Sequence, residues 1–339
     1  MLPEASIMKQ TAKKIFQSLK KPLPQLEELL EQNRIIDAYF GLSPRKVEVE
    51  QLPRIKAAEY YPGIDPEALS TSYYDFTQIF EYLALAPGQS FIDLGAGYGR
   101  SVLLLSELYP QTVGKAYEYV GDRIKAAQEF VKAKGRSSHT FLEQDLLAKD
   151  FQLANASAYF LYLDIGPLCE RLLEQIQVST SNEPSIIIAI ESHGDLIPRI
   201  QLEPWLELDK KILSASPRHN PWIYFFKSKP PETCRDFLLA DQTLMEQWRK
   251  LKEIPITKDI IPLVIRHHRK LSIYAVEVQV SSGTSWYGSL EGASFHFYDG
   301  EPYINFSSGS LATFSGKWNT KVTKLIRRDL IADNSLPLR

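Results

Sequence analysis

The stretch Phe91-Ile92-Asp93-Leu94-Gly95-Ala96-Gly97-Tyr98-Gly99-Arg100 governs how the rest of this chain is read. An apolar run ends at an acid. Three glycines follow at alternate positions, and Val102–Leu105 then open an apolar helical run. Glycines let the backbone turn with positive φ and let a ligand come close to the main chain. A helix starting directly afterwards offers that ligand its free amides. The alternative is a tight strand-to-helix turn that binds nothing, so neighbouring residues have to decide.

Outward from this loop, apolar strand-like runs alternate with amphipathic helical runs. The strand candidates are Ser90–Leu94, Lys115–Tyr119, His139–Glu143, Ala158–Leu163, Ser185–Ile190 and Trp222–Lys227. Helices are predicted over Arg100–Leu108, Asp122–Lys134 and Leu168–Ile176. That alternation predicts an α/β domain with a doubly wound, Rossmann-like sheet. Three ligand classes compete for its glycine loop. A dinucleotide motif needs a glycine where this chain has Arg100. A phosphate loop needs Gly-Lys-Ser or Gly-Lys-Thr, which is absent. The pattern Asp-x-Gly-x-Gly-x-Gly, with Asp93, Gly95, Gly97 and Gly99, suits S-adenosylmethionine, whose cationic amino end a carboxylate can organise. Glu118 ends the next strand candidate, where an acid accepts hydrogen bonds from ribose hydroxyls. Asp145 follows the third strand, where it can reach the adenine amino group or simply cap a helix.

On these residues, segment 71–229 resembles a class I, seven-strand S-adenosylmethionine-dependent methyltransferase domain. More narrowly, Thr71-Ser72-Tyr73-Tyr74-Asp75-Phe76, then a helix, Pro87-Gly88 and the glycine loop resemble the nucleosome-lysine methyltransferase of the disruptor-of-telomeric-silencing type and its bacterial relatives. The resemblance implies that Tyr73 and Tyr74 close over the methionine end of the cofactor. Here Tyr74 and Asp75 stand where that group has Gly and Glu. It also implies a protein side chain, lysine first, as methyl acceptor. RNA and small-molecule acceptors stay open.

Methyl transfer from a sulfonium is an in-line displacement, so an enzyme mainly orients the partners and excludes water. A neutral nucleophile must also lose a proton. Tyr162-Leu163-Asp164-Ile165-Gly166-Pro167 follows the fourth strand and offers Tyr162 and Asp164. It is not the Asn-Pro-Pro-Tyr type of motif used on exocyclic base amines, nor the Asn-Phe stretch of the nucleosome enzyme. Asp164 can orient an amine, accept its proton, or cap the next helix. Glu191-Ser192-His193-Gly194-Asp195 follows the fifth strand, and Glu191 with His193 can form a proton acceptor and its orienting partner. Both also read as ordinary loop residues.

The flanks differ in texture. Residues 1–70 are polar and helical, with lysines opposite an apolar face. Residues 230–339 begin with a polar helix over Cys234–Leu251. They continue as a β-rich module with runs at Ser272–Val280, Ala293–Tyr298, Tyr303–Ser307 and Leu311–Phe314. Trp286, Tyr287 and Trp318 form an aromatic core there, or a ligand platform, and Arg266–Lys270 is a local basic cluster. The 339 residues carry a net charge of -2, which argues against a globally basic nucleic-acid coat protein. Two cysteines, Cys169 and Cys234, cannot make a disulfide framework or a four-thiolate zinc site. No metal centre is expected, since the adjacent His267 and His268 would point to opposite faces if they lay on a strand. No run approaches the ~20 apolar residues of a membrane span, and a cytoplasmic protein without a membrane partner is expected. A non-catalytic binding protein that keeps the cofactor pocket is the rival from another class.

Overall fold

The structure is a computed structural model. It describes residues 16, 19, 25–48, 70–162, 166–191, 196–216 and 220–250, together with five strands between 273 and 327. The chain divides into two compact units, Met1–Ser192 with Leu208–Ser228, and His193–Glu207 with Lys229–Arg339.

In chain order the first unit begins with α1 (Leu26–Phe40) and α2 (Tyr73–Leu83), followed by β1 (Ser90–Leu94), α3 (Arg100–Leu108) and β2 (Val113–Glu118). Then come α4 (Gly121–Ala133), β3 (His139–Glu143), β4 (Ala158–Tyr162), α5 (Gly166–Thr180) and β5 (Ile186–Ile190). After α6 (Leu196–Gln201), which lies in the second unit, β6 (Leu206–Leu213) and β7 (Trp222–Ser228) complete one seven-stranded sheet. Its order is β3-β2-β1-β4-β5-β7-β6. The five strands β1 to β5 pair in parallel and β7 runs antiparallel to β5. The chain is thus α/β with a doubly wound sheet of seven strands.

The central parallel strands β1, β4 and β5 are apolar because helices cover both faces. Phe91, Ile92 and Leu94 are fully buried, as are Ile187 to Ile190. Phe76 and Phe80 of α2 pack edge-on against Phe160 and Phe91, with ring centroids 5.2 Å apart in each pair. Helix α1 buries Leu29, Ile36 and Phe40, and Phe40 meets Phe130 of α4 at 4.9 Å. The remaining strand, β6, offers no continuous apolar run. Its sequence Leu-Glu-Leu-Asp-Lys-Lys-Ile-Leu is exposed almost throughout, as suits a charged edge strand that discourages pairing with other chains.

The second unit also holds α7 (Pro231–Lys250) and five strands: β8 (Ile273–Gln279), β9 (Ser285–Ser289), β10 (Ala293–Tyr298), β11 (Glu301–Phe306) and β12 (Lys321–Arg327). They form an antiparallel sheet β12-β8-β9 and a β10–β11 hairpin. Trp286 and Tyr287 lie on β9; Trp318, Arg266–Lys270 and Leu311–Phe314 fall outside the described residues. Both cysteines are buried, and neither forms a disulfide. Among the described residues, no helix is long and apolar enough to cross a membrane. No cluster of three His, Cys, Asp or Glu suited to a metal ion is found among them either.

Candidate functional site

Parallel pairing brings the C-terminal ends of β1 to β5 to one edge. Leu94 pairs with Tyr117 and Leu161, Glu118 with Glu143, and Tyr162 with Ile190. Asp93, the glycine loop, Glu118, Tyr162 and Glu191 therefore share that edge.

The loop is closed by its own hydrogen bonds. The amides of Gly95 and Ala96 both donate to the Tyr117 carbonyl, at 2.9 and 2.8 Å. Gly97 donates to Oε2 of Glu118 at 2.8 Å, and Gly99 to the Ala96 carbonyl at 2.8 Å. All three glycines have positive φ. At Gly99 a Cβ would also lie 2.4 Å from the ring of Phe141, so the start of α3 tolerates only glycine. At Gly97 a Cβ would meet open space. The loop thus presents bare backbone on an open side, while these four amides are already committed.

The acids around it are buried. Asp93 is 3% exposed and accepts a hydrogen bond from the Ser101 hydroxyl. Burial pushes its carboxyl up to about 7; the Ser101 bond opposes this and the Glu118 charge adds to it. Glu118 is 5% exposed and accepts from Gly97, from the Val120 amide at 3.0 Å and from Nη1 of Arg123 at 3.1 Å. Burial raises its carboxyl too, against the pull of Arg123 and the two amides. A carboxylate has about four acceptor positions, so roughly one is left, on Oε2.

Asp145 is exposed just past β3, where its carboxylate accepts from the Leu147 amide at 2.8 Å. Tyr162 is half-buried at the end of β4 and Glu191 is buried directly after β5. Asp164 and His193 lie outside the described residues. Tyr74, 8% exposed, stands near the start of α2.

Tyr73 departs from expectation. Its side chain has no exposed surface, and a ligand cannot touch what nothing can reach. Its hydroxyl donates to Asp37 of α1 at 2.8 Å, and the Arg100 guanidinium lies 5.3 Å from its ring centre. Asp75 is likewise occupied, accepting from Ser214 Oγ at 2.8 Å, the Ala215 amide at 2.7 Å and Ser216 Oγ at 3.1 Å. These two residues fix α2 to α1 and to the β6–β7 connection.

No family model matches the sequence, and no curated protein does. Solved structures with similar folds include a precorrin-6y C5,15-methyltransferase from Geobacter metallireducens GS-15. It is 15% identical, covers 48% of this chain and 90% of its own, and gives a TM-score of 0.37. An RNA methyltransferase from Salinibacter ruber in complex with S-adenosyl-L-homocysteine is 19% identical over 48% and 95%, with a TM-score of 0.37. A ribosomal protein L11 methylase from Lactobacillus delbrueckii subsp. bulgaricus is 18% identical over 51% and 91%, with a TM-score of 0.36.

Four residues of this edge were missed in the sequence. Tyr119 and Leu147 are each about half exposed, at 53% and 51%, next to Glu118 and Asp145. Exposed apolar side chains beside acids at strand ends are the local feature that singles these two out. Arg123 and Glu48 had no such signal, because their meaning lies in a contact 75 residues apart in sequence.

Proposed function

We propose that this chain is an S-adenosylmethionine-dependent methyltransferase. One observation carries the reading: four amides of the glycine loop are spent inside the protein, and two buried carboxylates flank it. A pyrophosphate would find these four amides already spent and two buried carboxylates beside them. A ligand with a cationic methionine end and a neutral adenosyl end suits this setting. Asp93, buried with a single hydroxyl donor, gains most from an ammonium group. Glu118 keeps an acceptor position for a ribose hydroxyl. Tyr119, Leu147 and Asp145 are proposed to hold the adenine between apolar side chains and an acceptor.

The bound cofactor supplies an electrophilic methyl group on a positively charged sulfur. The chain orients it and excludes water. Tyr162 and Glu191, with Asp164 and His193 of the loops after β4 and β5, are proposed to orient the acceptor and take up its proton. The acceptor we favour, from the resemblance of 71–76 and 87–99, is a protein lysine. Segments 1–70 and 230–339 are proposed to select it.

Titration calorimetry with S-adenosylmethionine and S-adenosylhomocysteine tests the cofactor. Binding weaker than millimolar would sink the proposal. Glu118→Ala is expected to cost about 1–3 kcal/mol of binding through lost hydrogen bonds to a charged group. Incubating the protein and methyl-labelled cofactor with cell lysate tests turnover. Label in protein supports lysine transfer; label in RNA or in a soluble metabolite replaces that acceptor. Tight binding without label under any condition favours a binding protein.

A further inference from the structure

Arg123, the third residue of α4, joins two parts of the chain that the proposed reaction treats separately. Its Nε donates to Oε1 of Glu48 at 2.9 Å, and its Nη1 donates to Oε1 of Glu118 at 3.1 Å. Glu48 follows the short helical turn Pro44–Lys46 and also accepts from the Tyr98 hydroxyl, 2.5 Å away. Tyr98 belongs to the glycine loop, and its hydroxyl lies 3.2 Å from the Pro44 carbonyl. The Arg123, Glu48 and Glu118 side chains are 13%, 14% and 6% exposed, so solvent screens the network little. The segment around Pro44–Glu48 is thereby fastened twice to the cofactor edge, once through Tyr98 to the loop and once through Arg123 to β2.

We infer that Glu48 and Arg123 are positioning residues of the cofactor site: Glu48 holds Arg123 shared between two carboxylates, which leaves Glu118 free to accept a ligand hydroxyl. The inference rests on the cofactor reading above. Its physical basis is a division of donors. With Glu48 present, Arg123 spends Nε on one carboxylate and one terminal nitrogen on the other. Without Glu48, Nε is released and the guanidinium shifts toward Glu118, competing for its remaining acceptor position. Without Arg123, Glu118 is a buried acid with no compensating charge and takes up a proton, which turns an acceptor into a donor. Either change removes the ribose contact while α4 and the sheet remain packed. The coupling is reciprocal, so a bound ligand steadies residues 44–48 as much as they steady it.

The test uses the full chain, titration calorimetry with S-adenosylhomocysteine, and thermal unfolding of each variant. Glu48→Gln is expected to weaken binding about tenfold, and Arg123→Gln by at least as much. Arg123→Lys should recover part of the loss, because the charge returns without the fork. In a Glu118→Gln background, Glu48→Gln should change affinity less than about twofold. A purely structural role predicts equal losses in both backgrounds, accompanied by a lowered melting temperature, and would overturn the inference. Folded Glu48→Gln and Arg123→Gln proteins that bind like wild type would also overturn it. If Glu48→Gln does not fold, Tyr98→Phe, which loosens Glu48 from the loop, carries the same comparison. Wild-type protein that binds neither cofactor nor its demethylated product brings down the cofactor reading itself, a result distinct from variants that match a binding wild type.

Discussion

The two ends of the parallel sheet bury ionisable groups on opposite terms. At the C-terminal ends of β1 and β2, Asp93 and Glu118 sit against an open glycine loop, each with donors and with an arginine close to one of them. At the other end, His139 opens β3 and is 2% exposed. Its Nδ1 lies 3.0 Å from the Ser138 hydroxyl, and among the described residues its Nε2 has no hydrogen-bond partner. The ring is tightly enclosed: a Cβ on Gly114 would lie 2.8 Å from both His139 and Val102. Burial pushes both groups toward neutrality, raising the acid and lowering the base. The difference lies in what could relieve them. A cation entering the loop would restore Asp93 to its charged form, whereas the His139 ring is packed close against Gly114. Perturbed titration alone therefore marks burial, and the open side at Gly97 is what sets Asp93 apart from His139.

The sharpest break of this arrangement lies just behind the loop. Arg100 begins α3 and pairs with Asp37 of α1 through Nε at 2.9 Å and through Nη2; both side chains are about 3–5% exposed. Arg100→Met leaves Asp37 with a buried charge whose only remaining donor in that network is the Tyr73 hydroxyl. Loss of about 3–5 kcal/mol in urea unfolding is expected. Arg100→Met with Asp37→Leu should recover most of it, since two apolar residues replace the pair. A loss under 1 kcal/mol for Arg100→Met alone would show that α1 is held by its apolar face.

This pair also explains which features were legible. Strands β1 and β4 and helix α3 could be read within a residue, because buried apolar runs leave an unbroken sequence signal. The same holds for Asp93, the glycines and Glu118, whose places at strand ends follow from the alternation of elements. Arg100 was visible only as the residue that breaks a dinucleotide motif. Its partner Asp37 is 63 residues away, and no local pattern announces such a contact. Tyr73 was misplaced for a related reason: an aromatic near a helix start has the same sequence signature whether it faces a pocket or a neighbouring helix. Strand β6 escaped because its charges serve an edge, not a core.

The next largest effect separates stability from binding at Asp93. Its folded carboxyl titrates near 7 against an ordinary 3.8. A raised acid binds its proton more tightly when folded, so its stabilising contribution is complete below about 3.8 and is lost as pH rises through 7. The loss is of order 3–4 kcal/mol. Asp93→Asn should thus be more stable than wild type at pH 8 in urea unfolding, yet bind S-adenosylmethionine at least tenfold more weakly in titration calorimetry. A variant that is more stable and still binds normally would remove Asp93 from the cofactor site.

A smaller effect, opposite in sign, comes from His139. Burial, with the nearby Arg136 charge, lowers its folded value to about 4 from an ordinary 6.5. The unfolded chain therefore takes up a proton that the folded chain refuses. Stability is full above about 6.5 and falls by about 2–3 kcal/mol as pH drops to 4. Over this window Asp93 gains stability on acidification while His139 loses it, so the wild-type profile between pH 4 and 6.5 should be shallow. His139→Gln should expose the Asp93 slope, with stability rising on acidification. Asp93→Asn should expose the His139 slope, with stability falling. Urea midpoints at half-unit pH intervals read both. If His139→Gln leaves the profile unchanged, the ring is reached by water in the folded state, and the contrast between the two ends of the sheet reduces to the open side of the glycine loop alone.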